Sequence, residues 1–264
     1  MNQVKIKTFE NELNIAKKAA KEAGRIQLEL FANKNHTIRK SAKELVSKAD
    51  IESQKIIESI LKGELPGYQS YSEEKRIQEG YSTDKPFWIV DPLDGTHNYI
   101  AGLPFFGVSL ALVDVNYFYL GVIYLPVFDT LFWALRKEGA YCNGKRIETS
   151  KNNDLSKSMI TYDNQFYLNP RSLTLYERLI EKSFTTRIFG SAVYYICLVA
   201  SGKIDARIWN STKICDIAAG IPLINEARGR ITDFQGKPVS LSCGNVIASN
   251  GFVHDEILTI LNSD

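Results

Sequence analysis

The sequence is poor in the residues that staple or metallate small folds, with four cysteines and three histidines in 264 residues. Cys142, Cys197, Cys215 and Cys243 lie far apart, without a C-x-x-C pair or a histidine at zinc-finger spacing. That excludes a disulfide scaffold and a zinc module and leaves free thiols as the expectation. No uncharged apolar run approaches the roughly 18 residues needed to cross a bilayer; the nearest, Phe105 to Val113, is broken by Gly107 and Ser109. The residues after Met1 form no signal-peptide apolar segment, so the expected compartment is the cytoplasm and no membrane partner is expected. Neither sign of charge is in excess: 32 Lys plus Arg against 30 Asp plus Glu leave a formal +2. This balance makes no case for nucleic-acid binding through phosphate neutralisation. There is no internal repeat, no low-complexity tract, no Walker motif and no G-x-G-x-x-G after a strand. Gly139-x4-Gly144-Lys145 comes near a P-loop, but Arg146 stands where Ser or Thr is needed.

What is present is an ordinary globular balance, 44% hydrophobic and 23% charged, in a chain long enough for one large domain or two packed ones. Apolar or small residues at Leu13, Ala16, Ala20, Ala23, Leu28 and Phe31 recur at helical spacing and predict one long amphipathic helix from Phe9 to Phe31. A second helix is expected from near Ser41, through Leu45, Ala49, Ile56, Ile57 and Ile60, to a stop at Pro66-Gly67, and the two should pack together. After Pro86 the texture becomes β-branched and aromatic: 87–90, 107–113, 119–124 and 130–135 read as strands of an antiparallel sheet. Asn143-Gly144 then suits a tight hairpin turn. Polar residues from Ser150 to Ser158 mark a boundary between an N-terminal α+β subdomain, 1–149, and a C-terminal α/β subdomain, 150–264. Beyond it, helical patterns at 173–183, 192–201 and 216–227 alternate with short strands near Met159, Arg187, Ala206, Arg230 and Val246, an α/β layout.

The chemistry concentrates in Trp88-Ile-Val-Asp91-Pro92-Leu93-Asp94-Gly95-Thr96-His97-Asn98-Tyr99. An apolar strand ends in Asp91, Pro92 interrupts the ladder, and Asp94 follows on the turn, so two carboxylates can converge at a strand end. Hard divalent cations take oxygen ligands, and a pair about 3.5–4 Å apart can clamp a phosphoryl group between nucleophile and leaving group. Gly95-Thr96 permits close backbone approach of phosphate oxygens to amides. Asp, Pro and Gly are also common turn formers, so the segment alone is equally a plain turn. Further acids at Glu73-Glu74 and Asp216 favour the metal reading.

The segment Trp88 to Tyr99 resembles, almost residue for residue, the first signature of the inositol monophosphatase family of Mg²⁺-dependent, lithium-sensitive phosphatases. Cys215-Asp216-Ile-Ala-Ala-Gly220 resembles its second, and Glu73-Glu74 its third acidic element, with Ser72 where Gly is usual. The resemblance implies a layered αβαβα sandwich of the sugar-phosphatase type, classed α/β (α+β), and a homodimer. It assigns Glu73, Asp91 and the Leu93 carbonyl to one Mg²⁺, and Asp91, Asp94 and Asp216 to a second. Glu73 and Thr96 would activate the attacking water, Asp50 would partner Thr96, and phosphate would sit on the Gly95 and Thr96 amides. Gly190, Ser191 and Ala192 resemble the turn that lines the substrate pocket; locally, Ser191 is also a plain helix cap. Lys213 is a candidate for a second phosphate, and a lone lysine is ordinarily just solvated. His97 carries no assigned role.

Two departures bear on substrate. Cys215 replaces the usual Trp beside Asp216, a tolerable packing change. Trp209 falls where inositol-selective members carry an acid, which makes it a candidate pocket residue and puts inositol itself in question; alternatively it is an amphipathic aromatic at a strand end. The implied reaction is Mg²⁺-dependent hydrolysis of a small phosphate monoester by metal-activated water, with inositol 1-phosphate named first. The alternatives are fructose 1,6-bisphosphatase or broad sugar-phosphate and 3′-phosphoadenosine 5′-phosphate phosphatase activity. A regulatory binding protein on the same scaffold is the reading from another class.

Overall fold

The computed structural model describes residues 9–31, 37–39, 45–72, 85–163, 166, 171–242 and 244–263. The N-terminal half opens with α1 (Glu10–Phe31), the strands β1 (Thr37–Arg39) and β2 (Leu45–Ser47), and α2 (Lys48–Glu64). Then come β3 (Ser70–Ser72), β4 (Phe87–Asp94) and the short α3 (Thr96–Ala101). Five strands complete this half: β5 (Gly107–Val113), β6 (Phe118–Leu125), β7 (Thr130–Leu135), β8 (Gly139–Cys142) and β9 (Lys145–Ile147). The second half runs β10 (Met159–Thr161), α4 (Ser172–Lys182), β11 (Thr185–Arg187), α5 (Ala192–Ala200) and β12 (Ala206–Trp209). It ends with α6 (Ile214–Ile217), α7 (Gly220–Glu226), β13 (Arg230–Asp233), β14 (Val246–Ser249) and α8 (His254–Asn262).

Strands β3 to β9 lie in sequence order in a seven-stranded sheet. It is antiparallel except for the parallel pair β3 and β4. Both faces are covered, which is why β4 and β5 are apolar without alternation. On one face Trp88, Val90, Leu110 and Leu112 meet Leu13, Ala16, Ala20 and Ile57 of the packed pair α1 and α2. On the other, Phe87, Ile89, Ala111 and Ile123 meet Val193, Ile196 and Leu223 of α5 and α7. Gly121 makes that second contact possible, because a Cβ there would stand 2.1 Å from the Ala219 carbonyl oxygen.

The same central helices cover one face of a five-stranded sheet ordered β11-β10-β12-β14-β13, through Trp209, Ile231, Val246 and Ala248. Its far face, Ile160, Ala206, Ile208 and Ile247, packs on Leu179 of α4 and on Ile257 and Leu261 of α8. The layering is therefore αβαβα, as the resemblance implies. No helix among the described residues is long and apolar enough to cross a membrane.

The second helix differs from its sequence reading: it begins at Lys48, and Leu45–Ser47 is strand. Ser47 decides the start. Its hydroxyl accepts from the Ala49 and Asp50 amides while the Asp50 carboxylate accepts from the Ser47 amide, a reciprocal cap that fixes where the helix opens. The helical pattern at 216–227 is likewise broken into α6 and α7. The Asn143-Gly144 hairpin forms as expected, with φ of +46° and +78°. Cys142, Cys197 and Cys215 are free thiols, and Cys243 lies outside the described residues.

One buried histidine gives the fold a pH dependence. His254 is fully enclosed, its ring nitrogens within hydrogen-bond reach of the Thr232 and Ser249 hydroxyls at 2.9 and 2.8 Å. Burial pushes its pKa down from 6.5 to about 4, with the Arg230 charge adding to the shift. Below pH 6.5 the unfolded chain then binds a proton that the folded chain refuses, so stability is full above that pH and is lost as pH falls toward 4. Chemical denaturation should show a decline of up to about 1.4 kcal/mol per pH unit in that window. His254→Gln should flatten the decline, and an equally steep slope in the variant would assign it to other groups.

Candidate active site

Strand β4 is apolar up to Val90 and then turns acidic. Pro92 has no amide to give the ladder, and pairing with β5 shifts register between Asp91↔Ser109 and Asp94↔Gly107. The irregularity lets the Leu93 amide donate back to the Asp91 carboxylate at 3.1 Å. Asp91 and Asp94 are both enclosed, at 3% and 8% exposure. A buried carboxylate is costly without partners. Asp94 finds them 97 to 99 residues downstream at the start of α5: Oδ1 accepts from the Ala192 amide at 3.1 Å, and Oδ2 from the Val193 amide at 3.2 Å and the Ser191 hydroxyl.

The next residue must be glycine. Gly95 has φ +83°, and a Cβ there would lie 2.6 Å from the Phe105 carbonyl oxygen. This left-handed turn starts α3 at Thr96, whose hydroxyl lies 3.0 Å from Asp50 Oδ1 and 3.1 Å from the Leu93 carbonyl oxygen. Asp50 reaches Thr96 from the first turn of α2, with its other oxygen accepting from the Ser47 amide and hydroxyl at 2.7 and 2.6 Å. Burial raises the Asp50 pKa above its usual value, and these hydrogen bonds oppose the shift. Asp216 arrives on α6, which packs against β4. Its Oδ2 accepts from the Thr212 hydroxyl at 3.0 Å and the Lys213 amide at 3.2 Å.

Asp50, Asp91, Leu93, Asp94, Gly95 and Thr96 thus gather at one end of β4, and Ser191 and Ala192 join them through Asp94, with Gly190 at φ +75° turning the chain before them. Lys213 is exposed at the entry to α6. Glu73 and Glu74 lie outside the described residues; β3 ends at Ser72, paired with Val90. Trp209 departs from the sequence expectation of a pocket residue. At 1% exposure it belongs to the central apolar layer, because its register opposite Val246 turns the ring toward α5 and α6.

Sequence reasoning missed two supports of the site and one buried charge near it. Gln27, wholly buried on α1, donates from its side-chain amide to the Pro92 carbonyl at 2.7 Å, while its main-chain carbonyl accepts from the Tyr99 hydroxyl at 2.8 Å. Asn98 ties the Phe105 carbonyl, at 2.8 Å, to the Phe189 carbonyl, at 2.7 Å. Arg207 is a buried cation on β12. Gln27 alone had a visible signal, a polar residue four positions after Ala23 in an otherwise apolar stripe.

Among the described residues no three Asp, Glu, His or Cys side chains form a ready group for a metal ion. Asp94 is turned toward α5, and Asp216 toward the start of its own helix. The donors at this end of β4 are nevertheless oxygens throughout, carboxylates and a carbonyl, and they suit a hard divalent cation rather than a thiophilic one.

The sequence matches the inositol monophosphatase family over residues 9–263. The chain belongs to that family. It is 34% identical over 251 residues to the Nus factor SuhB of Pasteurella multocida, covering 93% of this chain and 94% of the relative. The match to the fructose-1,6-bisphosphatase/inositol-1-monophosphatase of Aquifex aeolicus is 34% over 258 residues, 94% of each. Among solved structures, the extragenic suppressor protein SuhB of Bartonella henselae superposes with a TM-score of 0.90 at 32% identity, over 96% of this chain and 99% of that one. Inositol monophosphatase family members are metal-dependent phosphatases that hydrolyse phosphate monoesters, and the two-sheet layered architecture is theirs.

Proposed function

We propose that this family member is a Mg²⁺-dependent phosphatase of broad selectivity toward small phosphate monoesters, inositol 1-phosphate and fructose 1,6-bisphosphate among them. The observation that carries the reading is the joint presentation of Asp91, Asp94 and a Thr96 hydroxyl held by Asp50 at one strand end. Asp91, Asp94, Asp216, the Leu93 carbonyl and Glu73 would hold the cations. When bound, these acidify a water and neutralise charge on the phosphoryl and leaving oxygens. The chain supplies the rest. The Thr96 hydroxyl donates toward Asp50 and Leu93, so its lone pairs are left to orient the attacking water. The amides of Gly95 and Thr96, at the turn into α3, would receive phosphate oxygens.

The substrate class follows from what the pocket lacks. Trp209 stands where inositol-selective members carry an acid and is itself packed into the core, so that position offers no carboxylate to hydrogen-bond a sugar hydroxyl, and a site without such a contact discriminates weakly between related substrates. The double name of the Aquifex relative supports breadth. The Pasteurella relative is named a Nus factor, which is the ground for the alternative of a binding protein on the same scaffold; the Thr96 to Asp50 contact supports the enzyme reading instead.

A phosphate-release panel with Mg²⁺ should give inositol 1-phosphate and at least one other small phosphomonoester kcat/KM values within roughly tenfold, or about 1.4 kcal/mol in transition-state stabilisation. Strong selectivity for inositol 1-phosphate would defeat the breadth. Full turnover in EDTA would defeat the metal requirement, and Li⁺ should inhibit.

A further inference from the structure

Asp94 is gripped by residues 191–193, and the turn at 189–191 that leads into them is itself held from behind. The Phe189 amide donates to the Tyr195 hydroxyl, and the Phe189 and Tyr195 rings stack with centroids 5.6 Å apart. Tyr195 is fully buried, and over its ring, 4.2 Å from the centroid, lies the Arg207 guanidinium. Arg207 is fixed in turn. One of its terminal nitrogens donates to the Tyr162 carbonyl, the other stands 4.0 Å from Asp163, and its central carbon lies 5.1 Å from the Trp209 ring centroid. Asp163 accepts from the Asn210 amide at 3.3 Å and so ties the ends of β10 and β12 together. The Arg207 Nε has no hydrogen-bond partner among the described residues. An enclosed guanidinium with an unmet donor is an expensive choice at a position that an apolar residue could fill.

We propose that Tyr195 and Arg207 are positioning residues for Asp94. The guanidinium clamps the Tyr195 ring, the Tyr195 hydroxyl fixes the Phe189 amide, and the turn so held presents the Ser191 hydroxyl and the Ala192 and Val193 amides that orient the carboxylate. The inference rests on the reading of Asp94 as a metal ligand. Partners that orient a ligand carboxylate typically contribute 10–100-fold to metal affinity.

The sign of the Arg207 effect separates positioning from simple field effects. Burial lowers the Arg207 pKa, and the negative charges of Asp163 and Asp94 oppose that shift, so its cation and the Asp94 carboxylate feel one another. By its charge alone Arg207 repels a cation bound at Asp94, and its removal would tighten Mg²⁺. By clamping Tyr195 it secures the ligand, and its removal would weaken Mg²⁺.

The test is calorimetric titration of the purified protein with Mg²⁺, beside kcat and KM at saturating Mg²⁺ and the melting temperature in EDTA. Tyr195→Phe, which removes one oxygen and keeps the ring and the nearby cation, should weaken Mg²⁺ binding about tenfold with substrate KM changed less than about twofold. Arg207→Met should weaken it in the same direction, and the double variant should be no worse than about the larger single effect. Arg207→Lys, a cation without the planar face, should not restore it. Tyr195→Phe with wild-type Mg²⁺ affinity, or Arg207→Met with tighter Mg²⁺ binding, overturns the proposal. Ser191→Ala distinguishes the two layers of argument: if it weakens Mg²⁺ while Tyr195→Phe does not, the route through Tyr195 is wrong and Asp94 remains a ligand. If neither Ser191→Ala nor Asp94→Asn alters Mg²⁺ binding, the ligand reading of Asp94 itself fails, and the positioning proposal with it.

Discussion

Asp91→Asn is expected to lower kcat by about a thousandfold or more, the equivalent of about 4 kcal/mol of transition-state stabilisation, while leaving the fold intact. Asp91 is enclosed, and its Oδ1 already accepts from the Leu93 amide, a bond that an Asn side-chain oxygen can keep. The turn therefore has no reason to open. What changes is charge: a neutral amide has much weaker affinity for a hard cation than a carboxylate, and with the cation goes the stabilisation of charge on the transferring phosphoryl group. An enclosed carboxylate without its cation is itself a burden on the fold. In EDTA the Asn variant should thus melt at or above the wild-type temperature, and it should lose the upward shift that Mg²⁺ gives the wild type. Asp216→Asn should behave alike, though its partners at the start of α6 make a small stability loss expected there. A folded Asp91→Asn protein turning over at the wild-type rate would remove Asp91 from the chemistry.

Much of this arrangement is legible in the sequence. The strand that carries Asp91 could be read because its apolar run is long, β-rich and ended by Pro92, and α1 because 22 residues keep one period. The signature from Trp88 to Tyr99 is local, and local chemistry is what a sequence displays. The start of α2 was not legible, since Ser41 and Ser47 are both acceptable caps in isolation and only the reciprocal bonds between Ser47 and Asp50 decide. Nor was the grip on Asp94 by residues 191–193, which depends on the seven-stranded sheet bringing β4 beneath α5. Trp209 shows the limit most clearly. Its residue type suits a pocket wall and a core equally, and the register with Val246 chooses the core. Arg207 left no sequence signal at all, because a charged residue within a four-residue strand normally faces solvent, whereas the clamp that holds it is assembled from β10, α5 and β12.

Thr96→Ala should reduce kcat by about a hundredfold with KM nearly unchanged. The hydroxyl has one proton and two acceptors, Asp50 Oδ1 at 3.0 Å and the Leu93 carbonyl at 3.1 Å, so its orientation is imposed from the protein side and its oxygen is left to accept from water. A water held that way matters most as it attacks, and an interaction made mainly in the transition state appears in kcat rather than KM. Thr96→Ser keeps the oxygen and should recover most of the rate, whereas Thr96→Val keeps the branched shape without the hydroxyl and should not. Asp50→Asn gives an independent check. Its amide can still accept from Thr96 but loses the charge that fixes the direction of the proton, so a smaller loss in kcat is expected than for Thr96→Ala. Because burial raises the Asp50 pKa, the wild-type rate should also fall at the acidic end of the pH profile as Asp50 gains a proton and stops accepting from Thr96. If Thr96→Ala instead raises KM alone, with kcat preserved, the hydroxyl binds phosphate in the ground state and the water is oriented by another group.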